Sequence, residues 1–227
     1  MKKKDCPPPL TARPLTVPPL VAEAAAGLHA IDLGSGRTAL LDVPPGWTAQ
    51  EPAPLAVMLH GSGGEPEHGL AVLRPQAATA GVLVLAPASR AYTWDVLVDG
   101  FGPDVTRLDA ALAWVFERYP VDAHHLALGG FSDGASYALT LGLANGDLFS
   151  HVLAMSPGFV VQTPRRGRPE VFVSHGRDDE VLPIDACSRR LVPALRHSGQ
   201  PVDYLEFDGG HEVPWHIARA ALSSLLR

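Results

Sequence analysis

One serine of this chain stands where a hydroxyl can become a nucleophile. Ser132 is the centre of the pentapeptide G-F-S-D-G, a G-x-S-x-G motif at 130–134. The apolar residues 125–129 before it predict a buried strand, and residues 135–143 after it predict a helix. A serine on such a strand-to-helix turn is held in strained backbone geometry, with its hydroxyl projecting above the sheet. The motif alone is common by chance, but this context favours a nucleophile over an ordinary glycine-rich turn.

A histidine near the end of the chain is the expected general base for this serine. A serine hydroxyl is a poor nucleophile near neutral pH, so it needs a base within hydrogen-bond reach and a carboxylate that orients the base. His211 follows the predicted strand 202–207 across the turn D-G-G, whose glycines allow the loop to fold back toward the sheet edge. His216 is the competing base, but it lies inside the predicted last helix, where a surface role is expected.

The carboxylate is expected in the loop that follows the predicted strand 171–174. Asp178, Asp179 and Glu180 are consecutive acidic residues of that loop. A solvated surface charge is the ordinary role of an acidic loop residue and suits Asp178 and Glu180, but spacing alone does not choose among the three. The order Ser, Asp, His along the chain is the order found in hydrolases that carry their serine on a strand-to-helix turn.

Backbone N–H groups that stabilise a developing oxyanion are the second requirement of this chemistry. The loop H-G-S-G-G at 60–64 directly follows the predicted strand 55–59 and is expected to supply one N–H from Ser62, with Gly63 as the near alternative. The other N–H is expected from Asp133, the residue after the nucleophile. A phosphate cradle is the competing interpretation, but the loop lacks the Lys-Ser/Thr ending of a P-loop and the pattern of a dinucleotide site.

Alternating strands and helices must position these residues. After a predicted hairpin formed by 28–33 and 38–43, apolar strands are predicted at 55–59, 82–86, 125–128, 152–155, 171–174 and 202–207. Helices are predicted at about 69–80, 104–118, 134–144, 185–197 and 214–226. Apolar strands separated by helices indicate an α/β fold with a mostly parallel central sheet and helices on both faces. Ligands bind at the carboxyl ends of the strands in such sheets, and the candidate residues follow predicted strand ends.

Length and composition place the chain among single-domain globular proteins. It has 227 residues, of which 46% are hydrophobic and 19% charged, and its net charge of −6 disfavours nucleic acid or an anionic membrane as a partner. No apolar run approaches the ~20 residues that span a bilayer, so stable membrane insertion is not expected. Cys6 and Cys187 do not suggest a disulfide framework, and the histidines lack metal-ligand spacing. The reducing cytoplasm is the expected compartment.

The first residues are predicted to form a separate, proline-rich segment. Three lysines at 2–4 resemble the basic start of a signal peptide, but prolines at 7, 8, 9, 14, 18 and 19 exclude the apolar helical core that such a peptide needs. Residues 1–22 are therefore predicted to be a flexible tail, and residues 23–227 a single α/β domain. No insertion is long enough for a lid domain, although the stretches 87–103 and 157–170 could form the rims of a cleft.

Four blocks of the sequence resemble the signature motifs of the phospholipase/carboxylesterase family of α/β-hydrolases. They are L-H-G-S-G-G at 59–64, G-F-S-D-G-A at 130–135, H-G-R-D-D-E-V-L-P at 175–183 and G-G-H-E-V-P at 209–214. The acid of that family lies in an H-G-x-x-D-x-V-x-P block, so the resemblance implies that Asp179 is the acid. It further implies a small, lidless serine esterase that needs no cofactor. One departure is Asp133, which stands where many members carry glutamine.

The sequence thus predicts a serine carboxylic ester hydrolase that acts on short to medium acyl esters through an acyl-enzyme intermediate. Trp94, Phe159 and Leu182, together with Gly63, are the candidates for lining a pocket for a small-molecule ester. Ordinary core or rim packing is an equally good interpretation of the three apolar side chains. A lysophospholipase, a thioesterase or a peptidase-like amide hydrolase on the same fold is the alternative, and a non-catalytic binding module is a further one. The oligomeric state stays open, with a homodimer as one option.

Overall fold

The computed structural model describes residues 9–16, 25–34, 38–97 and 101–227, and the statements below concern these residues. The strands are β1 (Gly27–Asp32), β2 (Thr38–Val43), β3 (Ala53–Leu59), β4 (Leu83–Pro87), β5 (Val121–Phe131), β6 (His151–Met155), β7 (Glu170–Gly176) and β8 (Val202–Phe207). They form one eight-stranded sheet in the order β1-β2-β4-β3-β5-β6-β7-β8.

Strands β3 to β8 run parallel to one another, and β1 and β2 form an antiparallel hairpin at one edge of the sheet. The hairpin pairs Gly27 with Val43 and Asp32 with Thr38, which confirms the predicted pairing. Residues 35–37 of its predicted turn lie outside the described residues. Because β3 to β8 are parallel, the loops that follow them meet at one edge, where the candidate residues were expected.

Helices cover both faces of the sheet, and the alternation of residues along the strands decides which face each side chain meets. The helices are α1 (Pro66–Ala80), α2 (Pro103–Phe116), α3 (Asp133–Ala144), α4 (Ser188–His197) and α5 (Trp215–Leu225). In β3, Leu55 and Val57 pack toward α2 and α3, whereas Ala56 and Met58 pack toward α1 and α5. This confirms the predicted α/β architecture. No helix within the described ranges is both long and apolar enough to cross a membrane.

Several element boundaries differ from their predictions, and the starts of β5 and α1 differ for local reasons. Strand β5 was predicted at 125–128, but it begins at Val121, where a register shift against β3 and partly exposed residues hide the apolar pattern. Helix α1 was predicted from residue 69 but begins at Pro66. Proline fits the first turn of a helix because its missing N–H would have no partner there. The β5 extension lengthens the strand that leads into Ser132.

The described part of the predicted tail lies against the domain. Leu10 is only 1% exposed, and its N–H donates to Asn145 Oδ1 at 2.9 Å. Thr11 donates from both its N–H and its hydroxyl to Asp109 of α2. For residues 9–16 the prediction of a flexible tail is therefore corrected, because a buried leucine and side-chain acceptors hold this extended segment. The rest of the predicted tail lies outside the described residues.

Candidate active site

The chain turns from β5 into α3 at Ser132, in a backbone conformation that side chains rarely adopt. Its φ of 58° and ψ of −121° are strained for a residue other than glycine, and its N–H donates to Met155 O at 2.9 Å. Glycines on both sides make the turn possible, because a Cβ at Gly130 would lie 2.6 Å from the backbone of Gly134. The turn places Ser132, which is 9% exposed, at the carboxyl end of the sheet.

Two hydrogen bonds join Ser132, His211 and Asp179 in a row. Ser132 Oγ lies 2.8 Å from His211 Nε2, and His211 Nδ1 lies 2.6 Å from Asp179 Oδ2. Because an ionised carboxylate only accepts, Nδ1 carries the hydrogen, and Nε2 is free to accept the serine O–H. The structure thus brings together Ser132, the predicted base His211 and Asp179, the acid that the family resemblance implies. The arrangement is the one that general-base activation of a serine requires.

The carboxylate of Asp179 is buried and held by the backbone of its own loop. Its side chain is 0% exposed, and its Oδ1 accepts the N–H of Val181 at 3.0 Å and that of Leu182 at 2.8 Å. Burial acts to raise the pKa of Asp179, but hydrogen bonds from His211 and Leu182 and the nearby imidazoles outweigh it. They hold the pKa of this carboxyl below its usual value. Asp179 is therefore ionised near neutral pH and fixed toward His211.

The competing acidic residues and the competing base lie in other surroundings. Asp178 and Glu180 are exposed on either side of Asp179. The Asp178 N–H donates to Gly209 O at 3.0 Å, so the loop is turned with the next residue facing inward. His216 is exposed on α5, away from the row of hydrogen bonds. The backbone hydrogen bond of the loop thus favours Asp179 over its two acidic neighbours, which residue spacing alone could not do.

The loop after β3, at 60–64, lies beside Ser132. A Cβ at Gly61 would lie 3.4 Å from the Cβ of Ser132, which shows how closely the loop approaches. Within the described residues, the N–H groups of Ser62 and Asp133 donate to no protein acceptor. The alternative, Gly63, donates its N–H to another backbone carbonyl at 2.7 Å. The geometry therefore favours Ser62 over Gly63 as the partner of Asp133 in an oxyanion hole.

Trp94 lies beneath this loop rather than in a substrate pocket. Its indole N–H donates to His60 O at 2.9 Å, and only 1% of the residue is exposed. Its ring stacks on Tyr137, with the centroids 5.3 Å apart. Of the two interpretations of Trp94, pocket lining is therefore corrected and core packing holds, because the ring is buried and supports the loop at 60–64 from below.

His60 holds the same loop from within. Its Nε2 accepts the N–H of Ser89 at 3.1 Å, so its hydrogen lies on Nδ1, which donates to Gly61 O at 2.7 Å. The residue is 1% exposed. Because Trp94 and His60 fix the carbonyls on the near side of Ser62, the direction of the Ser62 N–H is set before any substrate binds.

Phe159 and Leu182 lie on one rim of the site, and both are half-buried. A Cβ at Gly158 would lie 3.2 Å from Leu182 Cδ2, so the rim at 157–170 contacts the loop that carries the acid. Ser136 Oγ anchors this rim by accepting the N–H of Gly158 at 2.9 Å. These two side chains remain candidates for contact with the apolar part of a substrate.

Three contacts around the nucleophile were not foreseen. Thr93 Oγ1 donates to Asp133 Oδ2 at 2.9 Å and ties the other rim to the start of α3. The ring of Phe131 packs 4.6 Å from the ring of the candidate base. Gly63 has a φ of 69°, and a Cβ on it would lie 2.8 Å from the ring of Tyr92, which is 74% exposed. These residues lie in or beside the motifs, but only the fold shows which residues they contact around Ser132.

Fold and site together define the class of protein. A mostly parallel sheet, a serine on a strained turn after a central strand, and a carboxylate and an imidazole from later loops are the features of an α/β-hydrolase. The Esterase family model matches residues 32–165, more than half of the chain, and the chain belongs to that family. It is therefore an enzyme that hydrolyses carboxylic esters. The finer kinship with the phospholipase/carboxylesterase family stays a prediction.

Several solved structures share this fold at low sequence identity. S-formylglutathione hydrolase (FrmB) from Staphylococcus aureus is 12% identical with a TM-score of 0.72, over 90% of this chain and 100% of that one. Est1E from Butyrivibrio proteoclasticus is 17% identical with a TM-score of 0.67, over 88% and 98%. A ferulic acid esterase from Anaeromyces mucronatus is 17% identical with a TM-score of 0.63, over 87% of each chain. A comparison with curated proteins finds no match.

Proposed function

We propose that the chain hydrolyses carboxylic esters with Ser132 as nucleophile, His211 as general base and Asp179 as the acid that orients the base. The observation that carries the proposal is the pair of hydrogen bonds, 2.8 Å from Ser132 Oγ to His211 Nε2 and 2.6 Å from His211 Nδ1 to Asp179 Oδ2. The buried, ionised carboxylate supports it, because such an acid keeps the imidazole in the tautomer that can accept the serine proton.

In the first half of the proposed reaction, Ser132 Oγ forms a bond to the ester carbonyl carbon while its proton passes to His211 Nε2. The carbonyl oxygen becomes an oxyanion and accepts hydrogen bonds from the N–H groups of Ser62 and Asp133. The tetrahedral intermediate collapses when the bond to the alcohol oxygen breaks. The alcohol leaves with the proton from His211, and the acyl group remains on Ser132.

In the second half, a water molecule takes the place of the alcohol. His211 accepts a proton from the water as its oxygen attacks the acyl carbon, and the same two N–H groups hold the second oxyanion. The bond to Ser132 Oγ then breaks, and the proton on His211 returns to the serine oxygen. The free acid leaves, and the enzyme is restored without any cofactor in the cycle.

The proposed substrates are short to medium acyl esters. Phe159 and Leu182 are half-buried side chains on one rim, and they offer only a limited apolar surface to an acyl chain. A long chain would leave much of its surface in water, which costs about 25 cal/mol for each Å² that is not buried. We therefore expect kcat/KM to peak at or below roughly eight acyl carbons.

A series of p-nitrophenyl esters tests this proposal. The measurement is kcat/KM for the acetyl, butyryl, octanoyl and palmitoyl esters under one set of conditions, in monomeric rather than aggregated substrate. Turnover that is highest for acetyl to octanoyl esters is the expected result. A rise that continues to the palmitoyl ester contradicts the proposed chain length, and no turnover of any ester contradicts the proposed function.

The same assay separates the alternative activities. A lysophospholipid, an acyl thioester and an acyl p-nitroanilide are measured beside the matching p-nitrophenyl ester. We expect the carboxylic ester to be the best substrate and the anilide to be the poorest, because the Esterase family match supports ester chemistry. Higher kcat/KM for the thioester or the lysophospholipid would replace the proposed substrate class. A small-molecule ester as substrate and a cytoplasmic location are further parts of the proposal.

A further inference from the structure

A second histidine lies directly behind the acid of the site, and the proposed reaction does not use it. His175 is the penultimate residue of β7, and its side chain is 0% exposed. Its Nε2 lies 2.8 Å from Leu182 O and 3.2 Å from Asp179 Oδ2. Its Nδ1 lies 2.7 Å from Ser188 Oγ, at the start of α4. Every polar atom of this buried ring therefore has a partner.

The neighbours of the ring decide where its hydrogen lies. A carbonyl oxygen and an ionised carboxylate only accept hydrogen bonds, so Nε2 of His175 must carry the hydrogen. Nδ1 then accepts from the hydroxyl of Ser188. Burial lowers the pKa of His175, although the hydrogen bond to Leu182 and the charge of Asp179 oppose this effect. The ring is therefore a neutral donor near pH 7, with one fixed tautomer.

Leu182 links the histidine to both oxygens of the acid. Its C=O accepts from His175 Nε2, and its N–H donates to Asp179 Oδ1 at 2.8 Å. Asp179 Oδ2 faces His211 Nδ1 at 2.6 Å and His175 Nε2 at 3.2 Å. One oxygen of the acid thus lies between two imidazoles, one that changes protonation in the proposed reaction and one that stays neutral.

The other titratable group facing this cluster does not compete for the role. Cys187, just before α4, is 7% exposed, and burial together with the charge of Asp179 raises the pKa of its thiol, so it is neutral. Asp178 and Glu180 point to solvent on the same loop. Asp179 and His211 are therefore the two groups of this cluster whose charge matters to the reaction.

We propose that His175 is a positioning residue for the acid. His175 holds the 177–183 loop through Leu182, and its N–H lowers the basicity of Asp179 toward His211. The proposal rests on the proposed function and adds a residue that no step of that function requires. Removing a neutral donor from a carboxylate makes the carboxylate more basic, which stabilises the protonated form of its other partner. Loss of the His175 N–H is therefore expected to make His211 harder to deprotonate. Asp179 itself is expected to stay in place, because the two backbone N–H groups still hold it.

The test compares two substitutions of one residue. His175→Phe keeps a flat aromatic ring, somewhat larger than imidazole, but has no N–H, whereas the amide nitrogen of His175→Gln can reach the place of Nε2. For the phenylalanine variant we expect the acidic limb of the kcat/KM profile for p-nitrophenyl butyrate to move up by about 0.5 pH unit or more. We also expect its plateau to fall about tenfold, mostly in kcat. The glutamine variant is expected to keep the parental limb and most of the plateau.

A matched control uses a buried histidine far from the site. His151 lies at the amino end of β6, is 7% exposed and contacts Ser150 Oγ at 2.8 Å. His151→Phe makes the same change there and is expected to leave the acidic limb where it is. Circular dichroism and the melting temperature establish that each variant is folded. If His175→Phe does not fold, His175→Asn replaces it, because its amide overlays Nδ1 and does not reach Leu182.

Three results would overturn the proposal. They are an unmoved or lowered acidic limb in folded His175→Phe, a glutamine variant no better than the phenylalanine variant, or an equal movement of the limb in His151→Phe. Failure of the proposed function has a different signature, because Ser132→Ala would then keep its activity whatever the His175 variants do. An inactive Ser132→Ala with unchanged His175 variants rejects only the role of His175.

Discussion

Each imidazole near Ser132 carries its hydrogen on the nitrogen that faces an acceptor. His211 carries it on Nδ1, because Asp179 Oδ2 accepts it at 2.6 Å. His60 also carries it on Nδ1, because its Nε2 accepts a backbone N–H at 3.1 Å. His175 carries it on Nε2, where the nearest acceptor lies at 2.8 Å. Because these tautomers are set by fixed acceptors and donors, the dipoles of the site point in the required directions before substrate binds.

The assignment of the acid is tested by the same substitution at two adjacent positions. Asp179→Asn is expected to lower kcat by roughly 10³-fold or more, because an amide no longer fixes the tautomer of His211. Asp178→Asn makes the same carboxylate-to-amide change at an exposed neighbour and is expected to leave kcat within about twofold. The measurement is kcat on p-nitrophenyl butyrate. A larger loss for Asp178→Asn would mean that the wrong residue of the loop has been assigned.

At the scale of elements, the sequence predicts the bounds of strands more accurately than the contacts between elements. Strand β8 begins and ends where it was predicted, because its apolar residues and the turn after it are unambiguous. The place of Trp94 was left undecided, because a tryptophan beside a cleft and one beneath a loop look alike in sequence. The identification of the acid depended on a family resemblance. The hydrogen bond that turns this loop, from Asp178 N–H to Gly209 O, joins residues far apart in the chain and cannot be read from spacing.

The loop at 60–64, the proposed oxyanion loop, is held by Trp94 from another part of the chain, and this contact gives a prediction at the same scale. Trp94→Phe keeps the ring that stacks on Tyr137 but removes the donor to His60 O. We expect kcat on p-nitrophenyl butyrate to fall about tenfold, because a misaligned oxyanion donor loses stabilisation of the transition state. KM is expected to change little.

The control for this prediction is Trp114→Phe. Trp114 lies half-buried on α2, with its ring 6.2 Å from that of Tyr119, and it takes no part in the oxyanion loop. Its substitution is expected to leave kcat within about twofold. An equal loss in both variants would show that the effect of Trp94→Phe comes from general loosening of the core.

At the scale of the whole molecule, the chemistry lies at one edge of the sheet, and the N-terminal segment binds elsewhere. Leu10 and Arg13 contact the region after α3, where Arg13 pairs with Asp147 at 3.1 Å. Thr11 binds Asp109 on α2. Residues 9–16 therefore join two helices on one face of the domain. Their contacts lie away from Ser132 and His211, so we expect them to contribute to stability and not to the reaction.

This role of the segment predicts a loss of stability without a loss of rate. Leu10→Ala is expected to lower the free energy of unfolding by about 2–3 kcal/mol, because it empties a buried site. Leu15→Ala makes the same change at a residue that is 53% exposed, and it is expected to cost less than about 0.5 kcal/mol. Urea unfolding measures both, and kcat at 25 °C is expected to be unchanged. Equal stability of the two variants would contradict the docking of Leu10.

The most direct test of the proposed triad is the replacement of Ser132 by alanine. The matched control is Ser150→Ala, which removes a serine hydroxyl at the amino end of the sheet, where it contacts Leu126. Both variants are checked for folding, assayed with p-nitrophenyl butyrate and treated with a fluorophosphonate, with the adduct located by mass spectrometry. We predict that Ser132→Ala loses roughly 10³-fold or more in kcat and takes up no label, while Ser150→Ala behaves like the parent enzyme. Activity of Ser132→Ala within about tenfold of the parent, or a fluorophosphonate adduct on another residue, would contradict the assignment of Ser132 as the nucleophile.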